Sequence, residues 1–244
     1  MKVIGIIPAR YQSSRFPGKP LVDIKGKSMI QRVYEQVSLA NLDSVVVATD
    51  DDRILDHVKE FGGNAIMTNS NHSNGTSRCN EVLQNSEEDY DLVLNIQGDE
   101  PYIHPDQLKQ LVALFENSEV QIGTLIKQID SIDELLNPNS IKKVVVNDKF
   151  EALYFSRSPI PFVHGVAQED WLGHQTFYKH IGIYAFRSKV LNNLVNLPVS
   201  KLEKVESLEQ LRWLENGYSI QTGVTEHESP SIDTPADLER LLRK

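Results

Sequence analysis

The sequence predicts a three-layer α/β fold whose sheet is mostly parallel and partly mixed. Three observations support this: short apolar runs, amphipathic helical segments that alternate with them, and two strands around a tight turn in the second half. Runs that are apolar on both faces are typical of a parallel sheet, because helices cover both of its sides. The 244 residues are expected to form a single domain, 1–244, with a lobe around 130–217.

Four predicted strands in the first half are nearly continuous apolar runs, at 3–7, 44–48, 65–67 and 91–96. The helices between them are recognised by their ends. Ser28 with Gln31 forms a capping-box pattern at the start of one helix, and Gly62 ends the next one. Pro105 stands where the first residue of a third helix is expected.

The second half of the sequence has a less regular apolar pattern than the first half, because glycine and proline interrupt its periodicity. Residues 144–155 predict two antiparallel strands around a tight turn, and 158–178 predict a long functional loop. The remaining predicted elements are a strand at 180–186, a helix ending near Gly217, a strand at 218–224, and a last helix that begins with a capping box at Thr234 to Asp237.

Composition and charge limit the kinds of ligand that the protein can bind and indicate the cellular compartment in which it works. The formal net charge is −9, which disfavours broad attraction to nucleic acid or to an anionic membrane. The single cysteine, Cys79, cannot form an internal disulfide. The first apolar run is too short for a signal peptide, and no stretch reaches the roughly 18 apolar residues of a membrane span. We therefore expect a cytoplasmic protein that meets anionic ligands with a local cationic patch.

The segment after the first predicted strand, residues 8–20, carries such a patch and is called the basic loop below. It contains Arg10, Arg15 and Lys19, and residues 1–22 contain no acid. Ligands collect beyond the carboxyl ends of strands in such sheets. Arginine offers a planar fork and lysine a compact charge, so the loop suits a polyphosphate. A solvated basic turn is the alternative interpretation.

Two common phosphate-binding signatures are absent. Gly26, Lys27 and Ser28 resemble the end of a P-loop, but that pattern needs glycine at position 21, where Leu21 stands. No G-x-G-x-x-G follows the first strand, which argues against a dinucleotide cofactor.

Carboxylates at two distant places are candidates for a metal site. Asp99 follows a buried strand next to Gly98, and Mg²⁺ is held by one or two carboxylates together with water and substrate phosphates. Asp233 precedes the last helix. The alternatives are an acidic turn for Asp99 and a helix cap for Asp233. The seven histidines show no zinc-ligand spacing, so zinc is not expected.

Seven motifs, taken in order, make the chain similar to the 3-deoxy-manno-octulosonate cytidylyltransferase family, the CMP-Kdo synthetases. The resemblance runs essentially from end to end. The motifs are IIPARYQSSRFPGKPL (6–21), ATDD (48–51), NIQGDEP (95–101), FSRSPIP (155–161), HIGIY (180–184), LEQLR (208–212) and DTPADLE (233–239).

The resemblance implies a nucleotide-diphosphosugar transferase fold, Rossmann-like, which converts CTP and Kdo into CMP-Kdo and pyrophosphate for lipopolysaccharide biosynthesis. It also implies Mg²⁺, a homodimer, and a sugar-binding or dimerisation role for the lobe. By position it assigns the triphosphate to Arg10, Arg15 and Lys19, the metal to Asp99 and Asp233, the cytidine to Pro8, Ala9, Arg78 and Gln97, and the sugar to Arg157, His180, Glu209 and Gln210. The resemblance also assigns the catalytic roles to Lys19, Arg15 and Asp99. Arg157 and His180 would meet the carboxylate of the sugar.

One segment departs from the family pattern. Relatives usually read His-x-Ser-Gly-Thr-Asp/Glu-Arg, whereas this chain has Asn74 and Ser77 within residues 72–78, and Ser77 replaces a carboxylate. The alternative activities are activation of another acidic sugar, such as sialic acid or amino-Kdo, or a non-catalytic nucleotide-binding protein. The basic loop differs from the Ala-Arg-x-Gly-Ser-Lys-Gly pattern usual in sialic acid synthetases, and the G-x-G-x-R loop of sugar-1-phosphate nucleotidyltransferases is missing.

Overall fold

The computed structural model describes residues 1–13, 15–138 and 141–243. They divide into a first unit (Met1–Lys109, Ala185–Val195 and Glu228–Lys244) and a second unit (Gln110–Tyr184 and Asn196–His227). Ser14 of the basic loop lies outside the described residues. None of the helices in these ranges is both long and apolar enough to cross a membrane.

Strands and helices alternate along most of the chain. The strands are β1 (Val3–Ala9), β2 (Asp23–Ile24), β3 (Lys27–Ser28), β4 (Ser44–Thr49), β5 (Ala65–Met67), β6 (Leu92–Asn95), β7 (Ile122–Gln128), β8 (Lys143–Val146), β9 (Ala152–Ser156), β10 (Tyr178–Arg187) and β11 (Ile220–Val224). The helices are α1 (Met29–Ser38), α2 (Asp52–Glu60), α3 (Gly75–Gln84), α4 (Pro105–Ala113), α5 (Ile132–Leu136), α6 (Trp171–His174), α7 (Ser188–Val195), α8 (Lys201–Glu206), α9 (Gln210–Glu215) and α10 (Pro235–Leu242).

The first unit contains a parallel sheet in which β1 lies between β4 and β6, and β5 lies beyond β4. Its strands are apolar on both faces, as Ile6 and Ile7 of β1 illustrate with no exposed surface. The chain builds outward from β1 through β4 to β5 and then returns to the other side with β6. This reversal of strand order is a topological switch point, where α/β sheets place their ligand crevice.

The ends of the helices follow the local sequence signals. The Ser28 side chain accepts from the backbone N–H of Gln31 at the start of α1, although the Gln31 side chain donates to Glu35 rather than completing a capping box. A full capping box, Thr234 with Asp237, begins α10. These caps satisfy N–H groups that the first helical turn leaves without partners.

The second unit combines parallel and antiparallel pairs. β11 pairs with β7 in parallel, whereas β8 pairs antiparallel with β9 and with β10. The hairpin of β8 and β9 confirms the predicted strands around a tight turn. Together with the first unit it gives the mostly parallel, partly mixed α/β architecture that the sequence predicts.

The second half contains elements that the sequence did not predict. Residues 158–178 are not a plain loop, because a 3₁₀ turn at Gln168–Asp170 and α6 lie within them. Trp171 of α6 is buried against Phe177, with the rings stacked at 6.0 Å, and this apolar anchor orders the segment. The helix expected to end near Gly217 is α9, which ends at Glu215; two further short helices, α7 and α8, precede it, and neither they nor β7 were predicted.

Candidate functional site

The carboxyl ends of β1 and β6 approach each other closely in the first unit. β1 ends at Ala9 and β6 at Asn95, so the basic loop and the segment that carries Gln97 and Asp99 leave the sheet side by side. A Cβ atom at Gly98 would lie 2.8 Å from the carbonyl oxygen of Pro8. The backbones can meet here only because residue 98 is glycine.

The two candidate metal carboxylates are brought to the same place, although 134 positions separate them in the sequence. A backbone hydrogen bond of 2.9 Å from Ile232 N to Asp99 O fixes the segment that leads to Asp233 beside the end of β6. Ile232 is also buried against Ile24 and Met29, so apolar packing holds the same segment.

Lys19 lies between these two carboxylates. Its Nζ is 2.7 Å from Asp99 Oδ2 and 3.4 Å from Asp233 Oδ1, and Arg15 Nη2 is 2.9 Å from Asp233 Oδ1. The side chain of Lys19 is 14% exposed, whereas that of Arg15 is 64% exposed. Two cations of the basic loop and two distant aspartates thus form one cluster of alternating charge.

The Asp99 and Asp233 pair has the donor chemistry of a site for a hard divalent cation. Both are carboxylates, the ligand type that Mg²⁺ prefers, and the Lys19 ammonium already stands between them as a cation. The residues present therefore fit a magnesium ion.

The other residues assigned to the nucleotide lie along the same edge. Ala9 is buried at the end of β1, and Pro8 and Gln97 are partly exposed. Arg10 is exposed and forms no ion pair with any residue that the structure describes. Its guanidinium can therefore meet a phosphate without breaking an ion pair within the described part of the chain.

Arg78 is placed differently from an exposed base ligand. It lies on α3, is 1% exposed, and its Nη2 donates to Asp50 Oδ2 at 2.9 Å while Nη1 donates to Thr68 Oγ1. The guanidinium therefore ties α3 to the ends of β4 and β5. Its contact with cytidine stays a prediction.

The departure from the family pattern at Ser77 has a structural counterpart one helical turn later. His72 contacts the carboxylate of Glu81 through Nε2, and its Nδ1 lies 3.1 Å from Ser77 Oγ. Burial acts to raise the pKa of Glu81, but hydrogen bonds from His72 and from Asn69 N outweigh it, so the pKa falls below its usual range. A carboxylate thus still faces the loop before α3.

The four residues assigned to the sugar all lie in the second unit, on elements joined by aromatic contacts. The His180 ring on β10 packs against Phe155 of β9 at 5.1 Å and against Tyr184 at 5.2 Å. Tyr184 in turn meets Trp213 of α9 at 5.0 Å. Arg157 follows Phe155 in the sequence by two residues, and Glu209 and Gln210 begin the helix of Trp213.

His180 is electrically neutral. Enclosure by the protein, with a smaller effect from the charge of Lys142, lowers its pKa from 6.5 to about 3. Its Nε2 lies 3.0 Å from Thr124 Oγ1, and that hydroxyl donates at 2.7 Å to Ile183 O. Since the hydroxyl has one proton, Nε2 is the protonated nitrogen and Nδ1 is an acceptor. A ligand would therefore meet a neutral hydrogen-bonding group at His180 and not a positive charge.

Arg157 is held by the end of α8. Its Nε donates to Glu206 O at 2.7 Å, and its backbone N–H donates to Glu206 Oε2 at 3.0 Å. The buried Lys143 donates to Arg157 O at 2.9 Å, and burial lowers the pKa of that lysine. The orientation of Arg157 is therefore set by groups that the sequence did not single out.

Gln210 Nε2 in the second unit and Asn95 Oδ1 in the first are among the buried polar atoms that have no hydrogen-bond partner within the described ranges. An unmet buried group costs about 1–3 kcal/mol, so such atoms mark places where a ligand can form a bond. Gln210 is among the residues assigned to the sugar. Asn95 was missed, although it opens one of the seven motifs.

Comparison with known proteins agrees with the family resemblance that the seven sequence motifs indicate. The family model described as Cytidylyltransferase matches residues 4–221. A 3-deoxy-manno-octulosonate cytidylyltransferase of Parabacteroides distasonis is 57% identical over 99% of this chain and 97% of that protein. An 8-amino-3,8-dideoxy-manno-octulosonate cytidylyltransferase of Shewanella frigidimarina is 48% identical over 98% and 97%. A solved structure of CMP:2-keto-3-deoxy-manno-octonic acid synthetase complexed with CTP has a TM-score of 0.92 and 44% identity, covering 100% of this chain and 98% of that one.

Proposed function

This chain belongs to the cytidylyltransferase family, and we propose that it transfers CMP from CTP to the anomeric hydroxyl of 3-deoxy-manno-octulosonate (Kdo), releasing pyrophosphate. The 57% identity to a relative named for this sugar and the similarity to a CTP-bound synthetase support both substrates. The structural observation that carries the proposal is the cluster of Lys19 with Asp99 and Asp233 beside the basic loop.

The basic loop binds the triphosphate in this proposal. Arg10 offers a guanidinium that forms no ion pair among the described residues, while Arg15 and Lys19 exchange their carboxylate partners for phosphate oxygens. Pro8, Ala9, Arg78 and Gln97 surround the cytidine. The positive charges stabilise the negative charge that grows on the departing pyrophosphate, and an electrostatic group of this kind contributes about 10²–10³ in rate.

Asp99 and Asp233 hold Mg²⁺ in this proposal. When bound, the ion supplies charge neutralisation and polarises phosphoryl oxygens. Lys19 is positioned to move between the carboxylates and the phosphates, because its ammonium contacts both aspartates and its stem is mostly buried.

The second unit binds the sugar in this proposal. His180 accepts a hydrogen bond from a sugar hydroxyl at Nδ1, Gln210 donates through its unmet Nε2, and Glu209 lies next to it. Arg157 is the cation that meets the sugar carboxylate. The anomeric oxygen forms a bond to the α-phosphorus as the bond from that phosphorus to the β-phosphate oxygen breaks, and the hydroxyl proton passes to solvent.

Pyrophosphate release tests the function directly. The purified chain is supplied with CTP or UTP, and with Kdo, 8-amino-Kdo or sialic acid, in Mg²⁺ or in EDTA. We expect turnover with CTP and Kdo and only with a divalent cation. Equal rates with Kdo and with sialic acid would reject Kdo as the specific substrate. A higher rate with 8-amino-Kdo than with Kdo would instead assign the chain to activation of the amino sugar.

We also propose that residues 1–244 act as one cytidylyltransferase domain in the cytoplasm and form a homodimer through the lobe around 130–217. Three apolar side chains support a contact surface there: Leu153, Leu202 and Val205 are 60%, 37% and 84% exposed. Sedimentation velocity of the wild type and of Val205→Glu measures the oligomeric state of each protein. A dimer that dissociates in the variant is expected, and a monomeric wild type would contradict it.

A further inference from the structure

An arginine outside the proposed nucleotide site is fixed against the basic loop. Arg53, in the first turn of α2, forms a two-bond fork with Asp51, from Nε to Oδ1 at 2.8 Å and from Nη2 to Oδ2 at 2.7 Å. This hydrogen bonding, opposed by slight burial, lowers the pKa of Asp51. The guanidinium carbon of Arg53 lies 3.3 Å from the centre of the Tyr11 ring, a close cation–π stack.

Tyr11 also contacts Gly18, near the end of the basic loop. Its carbonyl accepts from Gly18 N at 2.9 Å, and its ring lies so close to Gly18 that a Cβ there would be 3.2 Å from Cζ. Gly18 has a φ of 72°, a left-handed conformation, and is the N-cap of the 3₁₀ turn that begins with Lys19. The backbone and the ring of Tyr11 thus both lie against Gly18, the residue that precedes Lys19.

We propose that Tyr11 and Arg53 are positioning residues that hold the basic loop so that Lys19 reaches the triphosphate and the two aspartates. The proposal rests on the proposed function. Arg53 acts here through Tyr11 and not as a phosphate ligand, because its charge is neutralised by the Asp51 fork and its planar face is covered by the ring.

The rest of the loop has its own anchor, so removal of the stack is expected to loosen one end only. Phe16 packs against the cluster of Ile24, Met29 and Ile232. Arg53 is 57% exposed, which keeps its contribution to global stability small. A displacement of about 1 Å at a reacting group can cost on the order of 100-fold in rate. The effect should therefore appear in nucleotide use before it appears in folding.

The experiment compares Tyr11→Ala, Tyr11→Phe and Arg53→Met in steady-state kinetics with CTP and Kdo varied separately. Tyr90→Ala is the matched control, because Lys2 pairs with Glu88 and lies over the Tyr90 ring in a similar arrangement. Hydrogen exchange at the Gly18 amide and thermal unfolding are measured on the same proteins. Hydrogen exchange reports on the loop even where no turnover is found, so failure of the proposed function is distinguished from failure of this inference.

We expect Tyr11→Ala and Arg53→Met to lower kcat/KM for CTP by about 10- to 100-fold, with KM for Kdo and the Tm nearly unchanged and with faster exchange at Gly18. Tyr11→Phe keeps the ring and should stay within about 3-fold of the wild type, like Tyr90→Ala. The inference is overturned if Tyr11→Ala behaves as wild type, if Tyr11→Phe is equally impaired, or if both KM values rise together. If Tyr11→Ala does not fold, Arg53→Met decides by the same criteria.

Discussion

Lys19 Nζ lies 2.7 Å from Asp99 Oδ2, and the same ammonium is 3.4 Å from Asp233 Oδ1. The lysine that we assign to the nucleotide is thus the counter-ion of the carboxylates that we assign to the metal. A divalent cation that approaches these oxygens meets a positive charge, and like charges within about 4 Å repel strongly. A triphosphate offers the ammonium another partner, so binding of metal and of nucleotide should favour each other.

Lys19→Met should bind Mn²⁺ more tightly in the absence of nucleotide. Two unit charges about 4 Å apart repel by about 1–4 kcal/mol near a protein surface, so removal of the ammonium should give at least about a 10-fold gain in metal affinity. Turnover should fall, because the triphosphate loses a cation. Titration of Mn²⁺ by electron paramagnetic resonance, with and without CTP, measures both effects.

Lys27→Met is the control for this titration. Lys27 is also a lysine of the first unit, but it pairs with Glu35 at 2.6 Å on the surface and should leave Mn²⁺ binding unchanged. Equal affinity of wild type and Lys19→Met for Mn²⁺ would show that the ammonium does not compete with the metal.

Asp99→Asn should fold normally yet lose at least about 100-fold in rate. The backbone bond from Ile232 N to Asp99 O does not need the carboxylate, so the segment keeps its place. The amide has the same shape but a weaker affinity for Mg²⁺, and removal of one preorganised electrostatic element costs about this much. Pyrophosphate release at saturating CTP measures the loss. Activity near that of wild type would remove Asp99 from the metal site.

Stability should fall in acid because of His180. Its pKa is about 3 in the folded chain against 6.5 for the free side chain, so between these values the unfolded chain binds a proton that the folded chain does not. The contribution is fully present above pH 6.5 and decreases as the pH falls, by about 1.4 kcal/mol per unit. From pH 6.5 to 5 the loss should reach about 2 kcal/mol.

Urea unfolding of wild type and His180→Gln at pH 6.5 and pH 5 separates this effect from other titrations. Glutamine does not titrate, so the variant should lose about 2 kcal/mol less than wild type on acidification. The same pH dependence in both proteins would mean that the ring takes up its proton in the folded state.

The sequence predicts those parts of the fold and site that depend on local signals. Thr234 and Asp237 cap α10, Pro105 begins α4, and the apolar runs give the strands, because each feature is determined by neighbouring residues. Convergence of the basic loop with Asp99 follows from strand order, since both segments leave the carboxyl ends of adjacent parallel strands.

Features that depend on three-dimensional surroundings were not predictable in this way. The neutrality of His180 comes from enclosure by Phe155 and Tyr184, whose ring contacts no spacing rule reveals. The three short helices before Gly217 each lack the length that makes a periodic pattern clear. The pairing of Arg53 with Tyr11 joins a loop to a helix 42 positions away.

Arg78→Met should be the most destabilising of the substitutions considered, although it removes a residue assigned to the nucleotide. Arg78 is 1% exposed and pairs at 2.9 Å with Asp50, whose side chain is 15% exposed, so the substitution leaves a largely buried carboxylate without its cation. Breaking such a pair costs about 3–5 kcal/mol, whereas Arg243→Met, at a pair whose side chains are 82% and 69% exposed, should cost less than about 1 kcal/mol. Urea midpoints measure both, and Asp50→Asn added to Arg78→Met should recover part of the loss because the unpaired charge is then removed. An unchanged midpoint for Arg78→Met would show that the arginine is not structural and would favour a direct role at the cytidine.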